Sequence, residues 1–314
     1  MPKSGEFFGV LPEFPKFKKL EISDKEAVEK ITSKYPPYSD FNFISMWSWD
    51  IKGDMRLCQL HGNLVVRFTD YVTGEPFYSF LGDNKVNETA EALLQLSTEQ
   101  GLEPKLKLIP EIVANRLDSK FKVIEDRDNF DYIYKNEDLA NLLGNKFHDK
   151  RYLYNKFKKY YPDAKMLISS NIGDSTIKDI LKLDEKWAMC KIEKSLKCDI
   201  KNETEAVKKF FTSIDQFSNS KFLFLSLYIK ENLVSFSISS IINSDYVLCH
   251  FTKGDVEYKG VYEYMITDYG LNFSKIATFM NYEQDLGISS LRSSKNSFNP
   301  SCFLKKYVIM DYTI

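Results

Sequence analysis

The sequence predicts an α+β (mixed α/β) fold in two tandem domains, each a mixed, mostly antiparallel sheet flanked by helices. Three observations carry the prediction. Strand-like and helix-like segments interleave along all 314 residues. The composition, 43% hydrophobic and 15% aromatic, supplies two cores at roughly 150 residues per domain. The order of elements also runs through once and then repeats, without obvious sequence identity.

In the first half, Ser23 and Glu26 form a capping box that opens a helix to about Lys34. The aromatic run FNFISMWSW (41–49) is ambiguous. MRLCQL and NLVVRFT form a hairpin around His61-Gly62-Asn63, and FYSFL is the next strand. A helix runs from Asn87 as N-cap to Gly101 past its end. Strand KLKLI, a short helix after Pro110, and strands FKVIED and DYIY follow.

In the second half, MLISS (166–170) is a strand, and 175–190 and 203–215 are helical. KFLFLSLYI and LVSFSISSII are strands joined at Lys230-Glu231-Asn232, and YVLCHF is a third. A helix from Gly260 to about Phe273, strand IATFM, a helix over 286–295 and strand CFLKKYVIM complete the half. Both halves thus share one order: helix or helices, three meandering strands, helix, strand, helix, strand. That is the order of the GNAT acyltransferase fold, a mixed sheet with helices on both faces. The predicted domains are 1–144, a GNAT-like domain without donor binding, and 163–314, a GNAT-like domain with the donor site. A basic connecting helix spans 145–162.

The formal net charge is −1, which excludes general nucleic-acid packaging and confines any anion partner to a local patch. Cys58, Cys190, Cys198, Cys249 and Cys302 show neither CxxC spacing nor a Cys/His cluster, so free thiols in a reducing compartment are expected and no metal site. No signal peptide and no apolar stretch of spanning length is seen, so a cytoplasmic protein without an integral membrane segment is expected. His61 falls in a hairpin turn, His250 in a core strand, and Trp47 and Trp49 read as packing residues.

Three places carry candidate chemistry. In TKGDVEYKGVYEYM, Lys259-Gly260 stands just before a helix, where unpaired amides and the helix dipole receive phosphate; a plain helix start with a glycine turn is the alternative. The corresponding loop of the first half, LGDNKVNETAEAL, carries Asp83 and Glu88 against Lys85 and would receive an anion poorly. In MNYEQDLGISSLRSSKNSFNP, a strand end delivers Asn281, Glu283 and Asp285, the last two as general-base candidates. Arg292 and Lys295 share a helix face beyond them. Here the alternative is that Asp285 caps the helix and the two cations are solvated or ion-paired. Third, NKFHDKRYLYNKFKKYYPD places Leu153, Phe157 and Tyr160 at helical spacing, with His148, Arg151, Asn155 and Lys158 as a basic stripe on another face. It is either a donor-holding surface or a solvated linker helix.

The segments GNKFHDKRYLYNKFKKYYP and NYEQDLGISSLRSSKNSFNPSCFLKKY resemble the phosphatidylglycerol lysyltransferase C-terminal domain family, bacterial proteins, and this sequence is most similar to its stand-alone members. The resemblance implies a tandem GNAT-like fold. It also implies transfer of an aminoacyl group from charged tRNA, which membrane-bound relatives place on phosphatidylglycerol and related tandem folds place on peptidoglycan precursors. It puts Lys146, His148, Arg151, Asn155 and Lys156 in the family's basic helix motif, and Asn281, Glu283, Asp285, Leu286, Gly287, Arg292, Lys295 and Pro300 in its second motif. The expected function is therefore an aminoacyl- or acyltransferase with an amine or hydroxyl acceptor, a small molecule or peptide. Lys259, Gly260, Arg292, Lys295 and the basic helix would hold the donor, the tRNA acceptor end. A phospholipid acceptor is implied by the resemblance alone. A coenzyme A-dependent N-acyltransferase and a non-catalytic tandem-fold scaffold stand as the alternatives.

Overall fold

A computed structural model describes residues 10–312 apart from 71–72, 194–199 and 218; Cys198 lies outside the described residues. The chain divides into two compact units. One comprises Met1–Phe130 with Leu304–Ile314, the other Asp131–Phe303.

In the first unit, β1 (Lys18–Lys19), α1 (Lys25–Thr32) and α2 (Phe43–Trp49) precede a meander of β2 (Arg56–Leu60), β3 (Asn63–Thr69) and β4 (Pro76–Leu81). Then come α3 (Val86–Glu99), β5 (Lys105–Pro110), α4 (Glu111–Ala114) and β6 (Phe121–Glu125), and β14 (Lys306–Asp311) returns from the chain's end. The seven strands lie in the order β1-β2-β3-β4-β5-β14-β6. His61 and Gly62, both at positive φ, make the tight β2–β3 turn that the sequence predicts. The capping box before α1 is Glu21 with Asp24, not Ser23 with Glu26. The ambiguous aromatic run is the helix α2, opened by Asn42, whose side chain accepts the Ile44 and Ser45 amides at 3.0 and 3.3 Å. Its core packs Val65, Tyr78, Phe80, Leu93, Leu106 and Ile309. At the start of α3, Asp83 accepts the Tyr35 hydroxyl at 3.0 Å and pairs with Arg116 at 3.5 Å.

The second unit contains β7 (Asp131–Lys135), α5 (Asn136–Asn141), α6 (His148–Tyr160), β8 (Ala164–Ser169), α7 (Asp174–Glu193) and α8 (Ile200–Ser213). A meander of β9 (Phe222–Ile229), β10 (Asn232–Ile241) and β11 (Tyr246–Gly254) follows, then α9 (Val261–Phe273), β12 (Phe279–Asn281), α10 (Ser289–Asn296) and β13 (Cys302–Leu304). The sheet order is β13-β7-β12-β11-β10-β9-β8. β11 and β12 run parallel, as β4 and β5 do at the corresponding place of the first sheet. The two sheets thus repeat one plan, α+β with helices flanking a mixed sheet, and each unit is GNAT-like.

The boundaries differ from those the sequence suggests. DYIY, expected to end the first half, is β7, deep in the second sheet between β12 and β13. CFLKKYVIM, expected as one strand, divides into β13 of the second sheet and β14 of the first. The break falls at its two lysines. Lys306 is fully buried and pairs with Asp40, so this charge belongs to a polar site inside the first unit. The core of the second unit packs Leu225, Leu227, Val247, Met265, Tyr269 and Met280. Gly270 of α9 lets α5 approach closely, because a Cβ there would stand 2.3 Å from the Ala140 nitrogen.

Candidate functional site

The site residues all lie in the second unit, and the structure sorts them into three groups. The first surrounds the end of β12. Asn281 is buried; its side-chain oxygen accepts the Glu283 amide at 2.8 Å and its amide donates to Asp131 at 3.2 Å. The Glu283 carbonyl accepts the Tyr132 amide at 3.0 Å, and the Tyr282 amide donates to the Tyr132 carbonyl at 2.9 Å, so β7 guides the chain past the strand end. Lys295 of α10 donates to the Tyr282 and Gln284 carbonyls at 2.5 and 2.7 Å. These ties hold Glu283 at a φ of +54°, left-handed backbone that a residue with a side chain adopts only when its surroundings enforce it. The Glu283 side chain is half-buried.

Asp285, two residues on, has a different setting. It is fully buried and accepts the Tyr132 hydroxyl at 2.6 Å, Arg292 Nε at 2.9 Å and Nη2 at 2.7 Å, and the Gly287 amide at 2.9 Å. Burial pushes its carboxyl up, but Arg292, Tyr132 and Gly287 together outweigh this and hold it below the usual carboxylate range. A carboxylate so satisfied is a poor proton acceptor. It anchors Arg292, in the first turn of α10, instead.

Lys295 is almost fully buried, and burial lowers its ammonium to about 8 against the opposing negative charges of Glu283 and Asp131. Glu283 also raises Cys249 and Tyr282, which places its charge within electrostatic reach of both, although burial is the larger cause in each case. Cys249 belongs to a buried hydroxyl cluster. Ser237 pairs in register with Thr252 and Ser239 with Cys249. The Cys249 thiol lies 3.0 Å from the Thr252 hydroxyl and 3.3 Å from Ser237, and the Tyr269 hydroxyl lies 3.2 Å from Thr252. The cluster was not singled out from the sequence, nor was Tyr132. The available signals were the alternating serines of SFSISS in an otherwise apolar strand and the paired tyrosines of DYIY.

The second group is Lys259 and Gly260. Lys259 is exposed. Gly260 caps α9 at a φ of +91°, and a Cβ there would stand 3.0 Å from the Leu153 carbonyl and 3.3 Å from Phe157 Cβ. The glycine is thus required by the close packing of α6 on the start of α9. Lys150 of α6 pairs at 3.0 Å with Glu263 in the first turn of α9, so a carboxylate already complements that helix end.

The third group is the basic helix. Arg151 donates to the Leu142 and Gly144 carbonyls, closing the end of α5, and Lys146 pairs with Asp138 at 3.4 Å. His148 bonds Asp149 at the surface and Asn155 is exposed. Lys156 lies 5.7 and 5.8 Å from the ring centres of Tyr152 and Tyr160. The expected apolar face needs one correction. Phe157 is buried, but Tyr160 is 66% exposed, and Tyr161 packs on Phe157 instead with 4.8 Å between ring centres.

Comparison with known proteins adds a lineage. Residues 34–310 match the family described as phosphatidylglycerol lysyltransferase, C-terminal. Among solved structures, a conserved protein of unknown function from Bacteroides thetaiotaomicron superimposes with a TM-score of 0.81 at 24% identity, over 94% of this chain and 99% of that one. L-PGS from Bacillus licheniformis gives 0.60 at 13% identity, over 98% and 95% of the two chains. The C-terminal domain assigned to a lysylphosphatidylglycerol synthetase from Agrobacterium fabrum gives 0.61 at 9% identity, over 91% of each. No curated protein matches the sequence. Among the described residues no helix is long and apolar enough to cross a membrane.

Proposed function

The chain belongs to the phosphatidylglycerol lysyltransferase C-terminal family, and we propose that it moves an aminoacyl group from charged tRNA to an amine or hydroxyl acceptor. The observation that carries this reading is the presentation of Glu283. Its backbone is held in left-handed conformation by Asn281, Tyr132 and Lys295. In the reaction the acceptor nitrogen or oxygen attacks the ester carbonyl, and Glu283 takes the proton that the acceptor sheds. The carbon–oxygen bond to the terminal ribose then breaks, and the ribose oxygen leaves with that proton. Asp285 acts at one remove by positioning Arg292, which holds donor phosphate.

The donor assignment rests on α6. Where a coenzyme diphosphate would meet the amides at the start of α9, Leu153 and Phe157 stand against Gly260 and Glu263 is in the first turn. That favours a charged tRNA over coenzyme A. The outer face of α6, with Tyr152, Asn155, Lys156, Lys159 and Tyr160, suits unpaired nucleotides, aromatic rings for bases and ammoniums for phosphates. The hydroxyl acceptors in this class include a phosphatidylglycerol headgroup, which the family description names.

The test is transfer of labelled amino acid from a charged tRNA pool to vesicles containing phosphatidylglycerol and, separately, to small amines, with acetyl-CoA as the competing donor. Glu283→Gln is expected to lower the rate about 10²–10⁴-fold, the usual range for loss of a general base. A Glu283→Gln enzyme as fast as the parent overturns the assignment of the base. Turnover of acetyl-CoA with none of charged tRNA overturns the donor.

A further inference from the structure

In the second unit a pocket opens between the C-terminal half of α7 and the end of β11. Leu183, Trp187 and Cys190 form its helix side, and Gly254, Asp255 and Val256 its strand side, with Lys186 at the margin. None of these residues belongs to the site described above. The walls are mainly apolar, and the carboxylate in the lining is Asp255, whose side chain is 8% exposed. Its current partner is the Lys186 ammonium at 2.7 Å, which is 48% exposed and shared with Glu257 at 2.9 Å.

Behind the wall the chemistry is the same. The Lys253 ammonium is buried 3.5 Å from the centre of the Trp187 ring and pairs with Glu203. Asp184, next to Leu183, is fully buried, and neither of its carboxylate oxygens has a hydrogen-bond partner. Among the described residues around the pocket, then, the acids Asp184, Glu203, Asp255 and Glu257 face the ammoniums of Lys186 and Lys253, with Lys208 in reach of Asp184. Among these described residues the acids outnumber the ammoniums, and the indole already receives one cation. An anionic ligand would meet Asp255 head-on. A neutral one would gain apolar contact alone.

We propose that this pocket binds an aliphatic ammonium group: the cation replaces half-exposed Lys186 on Asp255 while its methylene stem lies along Leu183, Trp187 and Val256. Its place in catalysis rests on the transferase reading above, since the amine belongs either to the acceptor or to the transferred aminoacyl group. Binding itself needs no turnover and is tested without donor.

The experiment titrates the whole chain with hexylamine, hexanol and hexanoate, read by calorimetry and by tryptophan fluorescence, with Trp187→Phe as the blank for the optical signal. Hexylamine is expected to bind about tenfold or more tighter than hexanol, the margin of one charge-assisted contact, with hexanoate weakest. Asp255→Asn keeps the side-chain oxygen that accepts the Glu257 amide and so preserves the turn. It should erase the preference for amine while leaving hexanol binding unchanged. Equal binding of the three probes, no binding of hexylamine, or an amine preference that survives Asp255→Asn overturns the proposal. A non-hydrolysable 3′-aminoacylamido-adenosine separates the two sources: competition with hexylamine assigns the pocket to the donor's amine, and independent binding assigns it to the acceptor. Failure of the Glu283→Gln rate test would leave these titrations untouched, and the reverse also holds.

Discussion

Replacing Asp285 by asparagine removes one charge from a site that the Tyr132 hydroxyl, the Arg292 guanidinium and the Gly287 amide already fill. The amide retains an oxygen for Tyr132 or Gly287, but it turns N–H groups toward Arg292, whose Nε and Nη2 now lie 2.9 and 2.7 Å from the carboxylate. Breaking a buried ion pair by removing one partner costs about 3–5 kcal/mol. The Arg292 side chain is 33% exposed and keeps part of its hydration, so the low end of that range, about 3 kcal/mol, applies. For a unit of this size each kcal/mol moves the transition by roughly 2–4 °C, so the melting temperature should fall by about 6–12 °C. Calorimetry at pH 7 reads this directly, and a pH series identifies its origin. The folded carboxyl is held below its unfolded value, so the stabilisation is complete above that unfolded value, about 3.9, and is lost as pH falls through the lower folded one. The gap between parent and variant should therefore stay constant from pH 8 to 5 and close only below about 4. A gap under about 1 °C at pH 7, or one already closed by pH 6, would refute the clamp.

Other perturbations test the remaining structural claims. Lys295 carries the same sign in a higher window: burial drops its ammonium to about 8, below the unfolded value of about 10.4, so the unfolded chain binds more protons between the two. Stability should rise with pH across that window, and urea titrations of Lys295→Met should lose that rise; an unchanged slope would count against it. Three glycine-to-alanine changes should rank in cost. Gly270, where the new methyl meets the Ala140 backbone at 2.3 Å, should lose about 3 kcal/mol or more. Gly260, at positive φ and 3.0 Å from Leu153, should lose about 2 kcal/mol, and Gly144, at positive φ with open space around it, about 1 kcal/mol. Equal costs for Gly260 and Gly144 would remove α6 as the reason for the Gly260 glycine. Finally, Lys156→Glu with Lys159→Glu should weaken tRNA binding and flatten its salt dependence by about 0.7 per lost phosphate contact, the single-strand value. Unchanged affinity and slope would make α6 a solvated connecting helix.

Much of the fold was legible because it is written in local periodicity. Alternating strands, the His61-Gly62 turn and the repeated element order all follow from near neighbours in sequence. The exchange of β7 and β14 was not legible, because pairing partners are long-range information: DYIY reads as the same buried strand in either sheet. The two lysines inside CFLKKYVIM were the available warning, since a buried strand tolerates a charge only where a partner waits, and Lys306 finds Asp40, 266 positions away in the chain. The basic helix was likewise half-legible. Its helical spacing fixed an element, but spacing says nothing of where a lysine's partner stands, and Lys150 and Arg151 turned inward to Glu263 and to the end of α5.

The two carboxylates of NYEQD show the same limit within the site itself. Two residues apart, both at a strand end, Glu283 and Asp285 are equivalent candidates on sequence spacing. What separates them is Tyr132, Arg292 and the Gly287 amide, which saturate Asp285, and the ties through Asn281, Tyr132 and Lys295, which hold Glu283 at +54°. A left-handed residue with a side chain costs of order 1–3 kcal/mol, and glycine would remove most of that cost at the same position. In a Lys295→Met background, where no buried ammonium needs the opposing charge, Glu283→Gly should accordingly cost no stability in urea titration while abolishing transfer. Were the variant instead clearly destabilised, the Glu283 carboxylate would be holding the fold together, and the case for it as the proton acceptor would fail.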